Sequence, residues 1–95
     1  MNARETAERH GRYVIDRNWG ALGGDFAPGA MEEFQKHGKA PPRGTSKAEI
    51  LKESQEGDDY VCEICYTNDA GESVTVRSRW GKMGDEWKIK EAAPV

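Results

Sequence analysis

The two cysteines are the clearest candidates for chemistry in this 95-residue chain, because Cys62 and Cys65 have the C-x-x-C spacing. At a helix start this spacing forms a redox motif, and in a knuckle it forms half of a zinc site. The residues around them alternate between apolar and polar, which is typical of a strand, and strand positions three apart face opposite sides. We therefore interpret both as ordinary half-buried cysteines and predict no metal site and no cofactor.

Histidine and tyrosine side chains are the next candidates, because they can exchange protons or donate hydrogen bonds to a ligand. His10 and His37 have no partner at catalytic or metal-ligating spacing. We predict that both are solvated, His10 on a polar helix and His37 in a loop. Tyr13 lies at the edge of the helical stripe, where its hydroxyl either donates to a ligand or stays in water. No catalytic residue is assigned from these positions.

Aromatic residues suggest a different kind of site, since small-molecule pockets combine aromatic walls with a few placed polar groups. A hydroxyl among aromatic residues fits that description. The alternative is that the same side chains only fill the core of a short chain, and both interpretations stay open. The candidate ligand-binding residues are Tyr13, Trp19, Phe34, Tyr66, Ser78 and Trp80.

The charge balance bears on possible partners. A net charge of −3 gives no global basic field, so nucleic acid is not an expected partner. No stretch approaches the roughly 20 apolar residues of a membrane span, and the N-terminal segment MNARETAERHGRY lacks the apolar part of a secretory signal. With only two cysteines and no disulfide framework, we expect a cytoplasmic protein without a membrane partner.

The first third of the chain has the apolar spacing of helices. Apolar residues recur every three or four positions from Ala3 to about Trp19, which predicts one long amphipathic helix. The segment ALGGDFAPGAMEEF predicts a short second helical piece, broken around Gly23 and Gly24 and again by Pro28. Residues 35–45, rich in glycine and proline, predict a loop.

From residue 46 onward the pattern predicts an antiparallel meander. Segments with period-two alternation are separated by NDAGE and KMGDE, which are hairpin connections. SKAEILKESQ is ambiguous: Ser46 and Glu49 fit a helix capping box, but the following EGDD turn favours a strand. The apolar face is expected to pack on the long helix. The opposite face carries basic residues for which cross-strand pairing is preferred over an anion site: Arg77, Arg79, Lys88 and Lys90.

We therefore predict a single α+β domain over residues 1–95, with a helical part (3–34), a loop (35–45) and a meander (46–95). A long N-terminal helix and a short second helix would pack on a curved antiparallel sheet of about four strands. Burying its large side chains at about 1.5 to 3 kcal/mol each is what could stabilise so short a chain.

Several phrases together resemble the NTF2-like superfamily, the cystatin-like cone fold shared with ketosteroid isomerases and SnoaL-like cyclases. They are ERHGRYV, GALGGDFAPGAM, PPRGT and the meander from GDDYV to GDEWKIKEA. The chain is shorter than is usual for that family. The resemblance implies a small hydrophobic ligand between helices and sheet, and a homodimer formed through the outer face of the sheet.

The resemblance also bears on catalysis. Tyr13 matches a first-helix tyrosine of the steroid isomerases, but their base position falls on or near Phe34 and their acid position near Ser78. Phe34 cannot accept a proton. We therefore expect a non-catalytic small-molecule-binding or accessory module. The alternatives are a small isomerase, cyclase or hydrolase that uses Tyr13 with Glu32 or Glu33, and a structural dimerisation domain with a filled core.

Overall fold

In the computed structural model, which describes residues 1–95, three helices precede a four-stranded antiparallel sheet. The strand order follows the chain, β1-β2-β3-β4, so the meander and the α+β class are confirmed. None of the helices has the length and the apolar character needed to cross a lipid bilayer. The elements are α1 (Ala3–Asp16), α2 (Trp19–Gly24), α3 (Ala30–Gln35), β1 (Thr45–Glu56), β2 (Asp59–Asn68), β3 (Ser73–Met83) and β4 (Glu86–Pro94).

Helix α1 begins and ends at residues suited to those positions. Asn2 accepts a hydrogen bond from the Glu5 backbone N–H, and the Glu5 carboxylate accepts one from the Asn2 backbone N–H, which completes a capping box. The helix ends at Arg17, whose φ of 58° lies in the left-handed region. Small residues on its inner face allow close packing: a Cβ at Gly11 would lie 2.9 Å from the Cβ of Ala48 on β1.

The ambiguous segment after the loop is a strand. β1 pairs with β2 from Thr45↔Asn68 to Glu56↔Asp59, and Gly57 adopts the positive φ that the tight turn between them requires. The hydroxyl of Ser46 donates to Asp69 instead of capping a helix. The ladder to β2 therefore outweighs the local helix signal, because local propensity is a weak preference beside extended pairing.

The core lies between α1 and one face of the sheet, as the alternation predicts. Trp80 and Ile89 are almost completely buried there. Cys62 lies in this core and Cys65 lies half-buried, and both are free thiols. Trp87 and Val74 are only partly buried. The buried members are Ala3, Ala7, Val14, Tyr60, Cys62, Ile64, Tyr66, Val76, Trp80 and Ile89.

The connection between α2 and α3 runs beside β4, and backbone hydrogen bonds to β4 fix the position of Asp25. The backbone N–H of Ile89 donates to the carbonyl of Asp25 (2.7 Å), and the N–H of Ala27 donates to the carbonyl of Ile89 (2.9 Å). Phe26 and Ile89 thus form a parallel bridge at the edge of the sheet. The predicted second helical piece is consequently two short helices, separated by this strand-like segment and by Pro28.

Candidate functional site

His10 lies inside the fold, and the prediction that it is solvated is wrong. Its exposed fraction is 6%, whereas His37 is exposed as expected. The sequence did contain a signal for this position. His10 follows Ala7 by three residues and precedes Val14 by four, so it belongs to the buried stripe of α1.

A buried aspartate holds one nitrogen of this imidazole. Nδ1 of His10 lies 2.9 Å from Oδ2 of Asp25, and Asp25 is only 4% exposed. Because a carboxylate can only accept, Nδ1 carries the proton and donates. In the neutral ring, the lone pair then lies on Nε2. Nothing in the local sequence pairs these residues, which are brought together by the backbone bonds between Asp25 and β4.

Aromatic neighbours fix the orientation of the imidazole. The ring of Trp80 meets it edge to face at a centroid distance of 5.5 Å, and that of Phe26 at 5.9 Å. Such T-shaped contacts each contribute about 0.5 to 1.5 kcal/mol beyond simple burial. With Asp25 on one side and two rings packed against it, the histidine side chain is held in one orientation.

His10 forms part of the wall of a cavity of about 50 Å³ between α1, the α2–α3 segment and the sheet. An engineered cavity of about 150 Å³ accommodates benzene, so this one suits a molecule of only a few heavy atoms. The polar groups on its wall come from His10, Tyr66 and Ser78. The remaining wall residues are apolar: Val14, Leu22, Phe26, Phe34, Pro41, Ile64, Val76, Ile89 and Ala92.

Two polar side-chain atoms of the wall residues have no hydrogen-bond partner among the protein's own atoms. They are the hydroxyl of Tyr66, which is 2% exposed, and Nε2 of His10. Since no completely enclosed side-chain nitrogen or oxygen lacks a partner, both atoms must keep contact with open space. Burial, followed by the nearby Cys62 and Asp25 side chains, raises the pKa of Tyr66 above its usual range. Tyr66 is therefore a neutral phenol that can donate.

Ser78 is the third polar residue of the wall, and it is already held by a neighbour. Nε1 of Trp80 donates to its Oγ at 2.9 Å, and Sγ of Cys62 lies 3.5 Å from the same atom. Burial raises the pKa of the Cys62 thiol, which keeps it protonated. The hydroxyl of Ser78 is thus fixed in place while its own proton is committed only to a weak sulfur acceptor.

The structure separates the six predicted ligand-binding residues. Phe34, Tyr66 and Ser78 line the cavity. Trp80 is completely buried and contacts His10 from behind instead of lining the cavity. Tyr13 lies in a separate surface groove with the Arg9 guanidinium 5.6 Å from its ring centroid, and Trp19 is 59% exposed.

The acidic residues considered as substitute bases also lie elsewhere. Glu32 and Glu33 are exposed on α3, and the Oε1 of Glu33 accepts from Lys36 at 3.0 Å. Neither residue is part of the cavity wall. The buried pair of titratable side chains beside the cavity is instead His10, on α1, and Asp25, on the α2–α3 segment.

One rim of the cavity is formed by the glycine- and proline-rich loop, through Pro41. The C-terminal end of this loop is attached to β2, because Nδ2 of Asn68 donates to the carbonyl of Arg43 at 3.0 Å. Thr45 Oγ1 donates to the carbonyl of Pro42 at 2.6 Å. Lys39 and Ala40, by contrast, are exposed and make no hydrogen bond with the rest of the chain. The loop is thus held at its end and free in its middle.

A larger groove of about 780 Å³ lies on the other side of the sheet, but its basic residues are neutralised. Arg79 contacts Asp59 at 3.1 Å and Glu56 at 2.6 Å, and Lys90 contacts Asp59 at 3.1 Å. The hydrogen bonds from Lys90 and then Arg79 lower the pKa of Asp59. We favour the smaller cavity as the functional site, because it is less open than this groove and is lined by residues with unpaired polar atoms.

Fold and site together define a class: a small α+β domain with a mostly apolar cavity whose wall includes a histidine paired with a buried aspartate. No family model, no curated protein and no solved structure matches this chain.

Proposed function

We propose that this chain is a shortened NTF2-like domain that binds a small, largely apolar molecule in the cavity between α1 and the sheet. One observation carries the proposal: the Tyr66 hydroxyl and Nε2 of His10 have no protein hydrogen-bond partner, and both belong to largely buried residues that line one apolar cavity. A polar group that an occupant of the cavity shuts off from water without pairing with it costs about 1 to 3 kcal/mol. A ligand that pairs with these atoms avoids that cost, which favours it over an occupant that does not pair with them.

Preorganisation also supports the proposal. The His10 ring is fixed by Asp25, Trp80 and Phe26 before a ligand enters. A preformed site avoids much of the entropy that ordering side chains costs on binding. Because the cavity is small, Pro41, which follows the exposed residues Lys39 and Ala40, is the part of its rim that can move to admit a larger molecule.

Xenon under pressure tests whether the cavity accepts a guest, because xenon enters apolar protein cavities. We expect xenon to shift the methyl NMR resonances of Val14, Ile64 and Ile89. Ala92→Leu fills the wall and should abolish these shifts. Ala93→Leu is the matched control, since Ala93 faces the outer groove and is not part of the cavity wall. Absence of shifts in the unmodified protein would leave the structural domain with a filled core as the better description.

The His10–Asp25 pair supports a second candidate function, general acid–base catalysis in the same cavity. A histidine held at Nδ1 by a carboxylate, with Nε2 free, is the arrangement of a general base. It takes the place of the predicted combination of Tyr13 with Glu32 or Glu33. The test is hydrogen–deuterium exchange of acetone methyl groups in heavy water. The unmodified protein should exchange these hydrogens faster than buffer alone, and His10→Gln should return the exchange rate to that of buffer. Equal exchange rates for the unmodified protein and His10→Gln would refute catalysis by His10.

The resemblance further implies a homodimer, and the composition predicts a cytoplasmic location; we include both in the proposal. The two free thiols support a reducing compartment. Native mass spectrometry tests the assembly: a dimer has twice the 10.6 kDa mass of the chain, and a single-chain mass across the micromolar range would contradict it.

A further inference from the structure

We propose, resting on the binding function above, that the cavity selects small neutral molecules with one hydrogen-bonding oxygen, meaning ketones, aldehydes or alcohols. Hydrocarbons, carboxylates and amines of the same size are rejected. The wall residues offer two hydroxyl donors, those of Tyr66 and Ser78, and one acceptor, Nε2 of His10, and none of the wall residues is a lysine or an arginine.

Two wall residues provide hydroxyl donors for a ligand oxygen. An indole N–H can only donate, so the bond from Trp80 Nε1 occupies an acceptor site of Ser78 and leaves its hydroxyl proton to point elsewhere. The only protein atom that can receive it is Sγ of Cys62, at 3.5 Å, and sulfur is a weak acceptor. The Tyr66 hydroxyl has no protein acceptor at all. A carbonyl or hydroxyl oxygen in the cavity is a better acceptor for both.

His10 completes the recognition by distinguishing among oxygen compounds. With Nδ1 donating to Asp25, Nε2 of the neutral ring can accept a proton from an alcohol hydroxyl. For a ketone or an aldehyde, the donors are Tyr66 and Ser78. A cavity of about 50 Å³ brings all three wall residues within reach of one molecule with a few heavy atoms.

The charges around the cavity disfavour ionised ligands. No lysine or arginine lines the wall, and the Arg9 guanidinium, 3.8 Å from Oδ1 of Asp25, belongs to a side chain that is 44% exposed. A carboxylate ligand would be buried without a cation and close to the Asp25 carboxylate. An ammonium ligand would find the near oxygen of Asp25 occupied by His10. Burying an unpaired charge costs far more than so small a ligand gains from contact.

A hydrocarbon ligand is disfavoured for a different reason. It would fill the apolar wall but leave the Tyr66 hydroxyl unpaired and cut off from water. A site built to hydrogen-bond a ligand oxygen discriminates strongly against the analogue that lacks it, because its own buried polar groups are then left unsatisfied. Isobutene and acetone have nearly the same shape, so they differ at this site only in the oxygen.

The experiment is an NMR titration of the protein with five probes that share a branched skeleton: acetone, 2-propanol, isobutene, acetate and isopropylammonium. We expect acetone and 2-propanol to bind about tenfold or more tightly than the other three. Tyr66→Phe should reduce acetone binding to the level of isobutene. Tyr60→Phe is the matched control, because the Tyr60 hydroxyl donates to Glu53 at 2.9 Å and lies away from the wall.

The outcomes separate this proposal from the binding function it rests on. Isobutene binding as tightly as acetone would overturn oxygen recognition while leaving a binding cavity. Acetate or isopropylammonium binding as tightly as acetone would overturn the selection for neutral ligands. If none of the five probes binds and xenon is also excluded, a resident water or a filled core accounts for the site, and both proposals fail.

Discussion

Replacing His10 with leucine tests the description of the site most directly. Leucine keeps an apolar side chain of similar volume between Trp80 and Phe26, but it removes the N–H that Asp25 accepts. The Asp25 side chain is 6% exposed, so water cannot replace the lost donor. Arg9, at 3.8 Å and 44% exposed, compensates only in part.

The expected loss is about 2 to 4 kcal/mol of unfolding free energy. Hydrogen bonds to charged groups contribute about 1.5 to 3 kcal/mol, and leaving a buried carboxylate without its partner costs up to about 5 kcal/mol. The solvated Arg9 guanidinium keeps the cost below that upper figure. A domain of this length has roughly 5 to 14 kcal/mol of stability in total, so the variant should still fold.

Urea unfolding followed by far-ultraviolet circular dichroism gives the free energies. A double-mutant cycle with Asp25→Ala isolates the pairwise energy, which should be about 1.5 to 3 kcal/mol. His37→Leu is the matched control and should change stability by no more than about 0.5 kcal/mol, because His37 is exposed. Equal effects of the two histidine substitutions, or simple additivity with Asp25→Ala, would refute the buried pair.

Three further predictions concern the surrounding fold. Gly11→Ala should destabilise the fold by about 1 kcal/mol, because overpacking against the Cβ of Ala48 at 2.9 Å exceeds the gain in helix propensity. Gly20→Ala, with open space around the new methyl group, should instead stabilise the fold by up to about 1 kcal/mol. Shifts of the melting temperature in the same direction for both variants would contradict this. Burial raises the pKa of Tyr66 above 10.0, so its contribution to stability is complete below about pH 10 and is lost as the pH rises further. Above pH 10 the unfolding free energy of Tyr66→Phe should therefore fall less steeply with pH than that of the unmodified protein, with slopes that differ by about 1.4 kcal/mol per pH unit. Equal slopes for the two proteins would contradict this. Asn68→Ala should lower the unfolding free energy by about 2 to 3 kcal/mol and speed amide hydrogen exchange in the loop before β1. The reason is that Asn68 is buried and its side chain joins that loop to the β2–β3 turn. Unchanged exchange rates in that loop would refute its anchoring role.

Some parts of the architecture could be predicted from local pattern alone. The period-two alternation of β2 and β3 places Ile64 and Trp80 in the core, because successive strand residues face opposite sides. The breaks around Pro28 correctly predicted that the helix after α1 would be interrupted. Strand β1 was ambiguous, since Ser46 and Glu49 also suit a helix start, and only its pairing with β2 decides the matter.

The candidate site was predicted only in part. Phe34, Tyr66 and Ser78 line the cavity, but Tyr13 lies in a separate surface groove. Trp19 also lies outside the cavity, and the prediction that the first helix reaches it is wrong: α1 ends at Asp16, and Trp19 begins α2 with its side chain exposed. The spacing of His10 from its buried neighbours on α1 indicated an inward position, which we predicted wrongly as solvated. No sequence signal identified Asp25, fifteen residues further on, as its partner.

The sequence by itself determined the order of the elements, the α+β class and the face of the sheet that is buried, because hydrophobic periodicity is a local property of the chain. Only the tertiary structure decided which polar groups meet inside. The hydrogen bonds between β4 and the backbone of Asp25 place its carboxylate against His10, and the packing of α1 on the sheet encloses both beside Tyr66. Contacts of this kind depend on how separate elements pack, which no local pattern specifies.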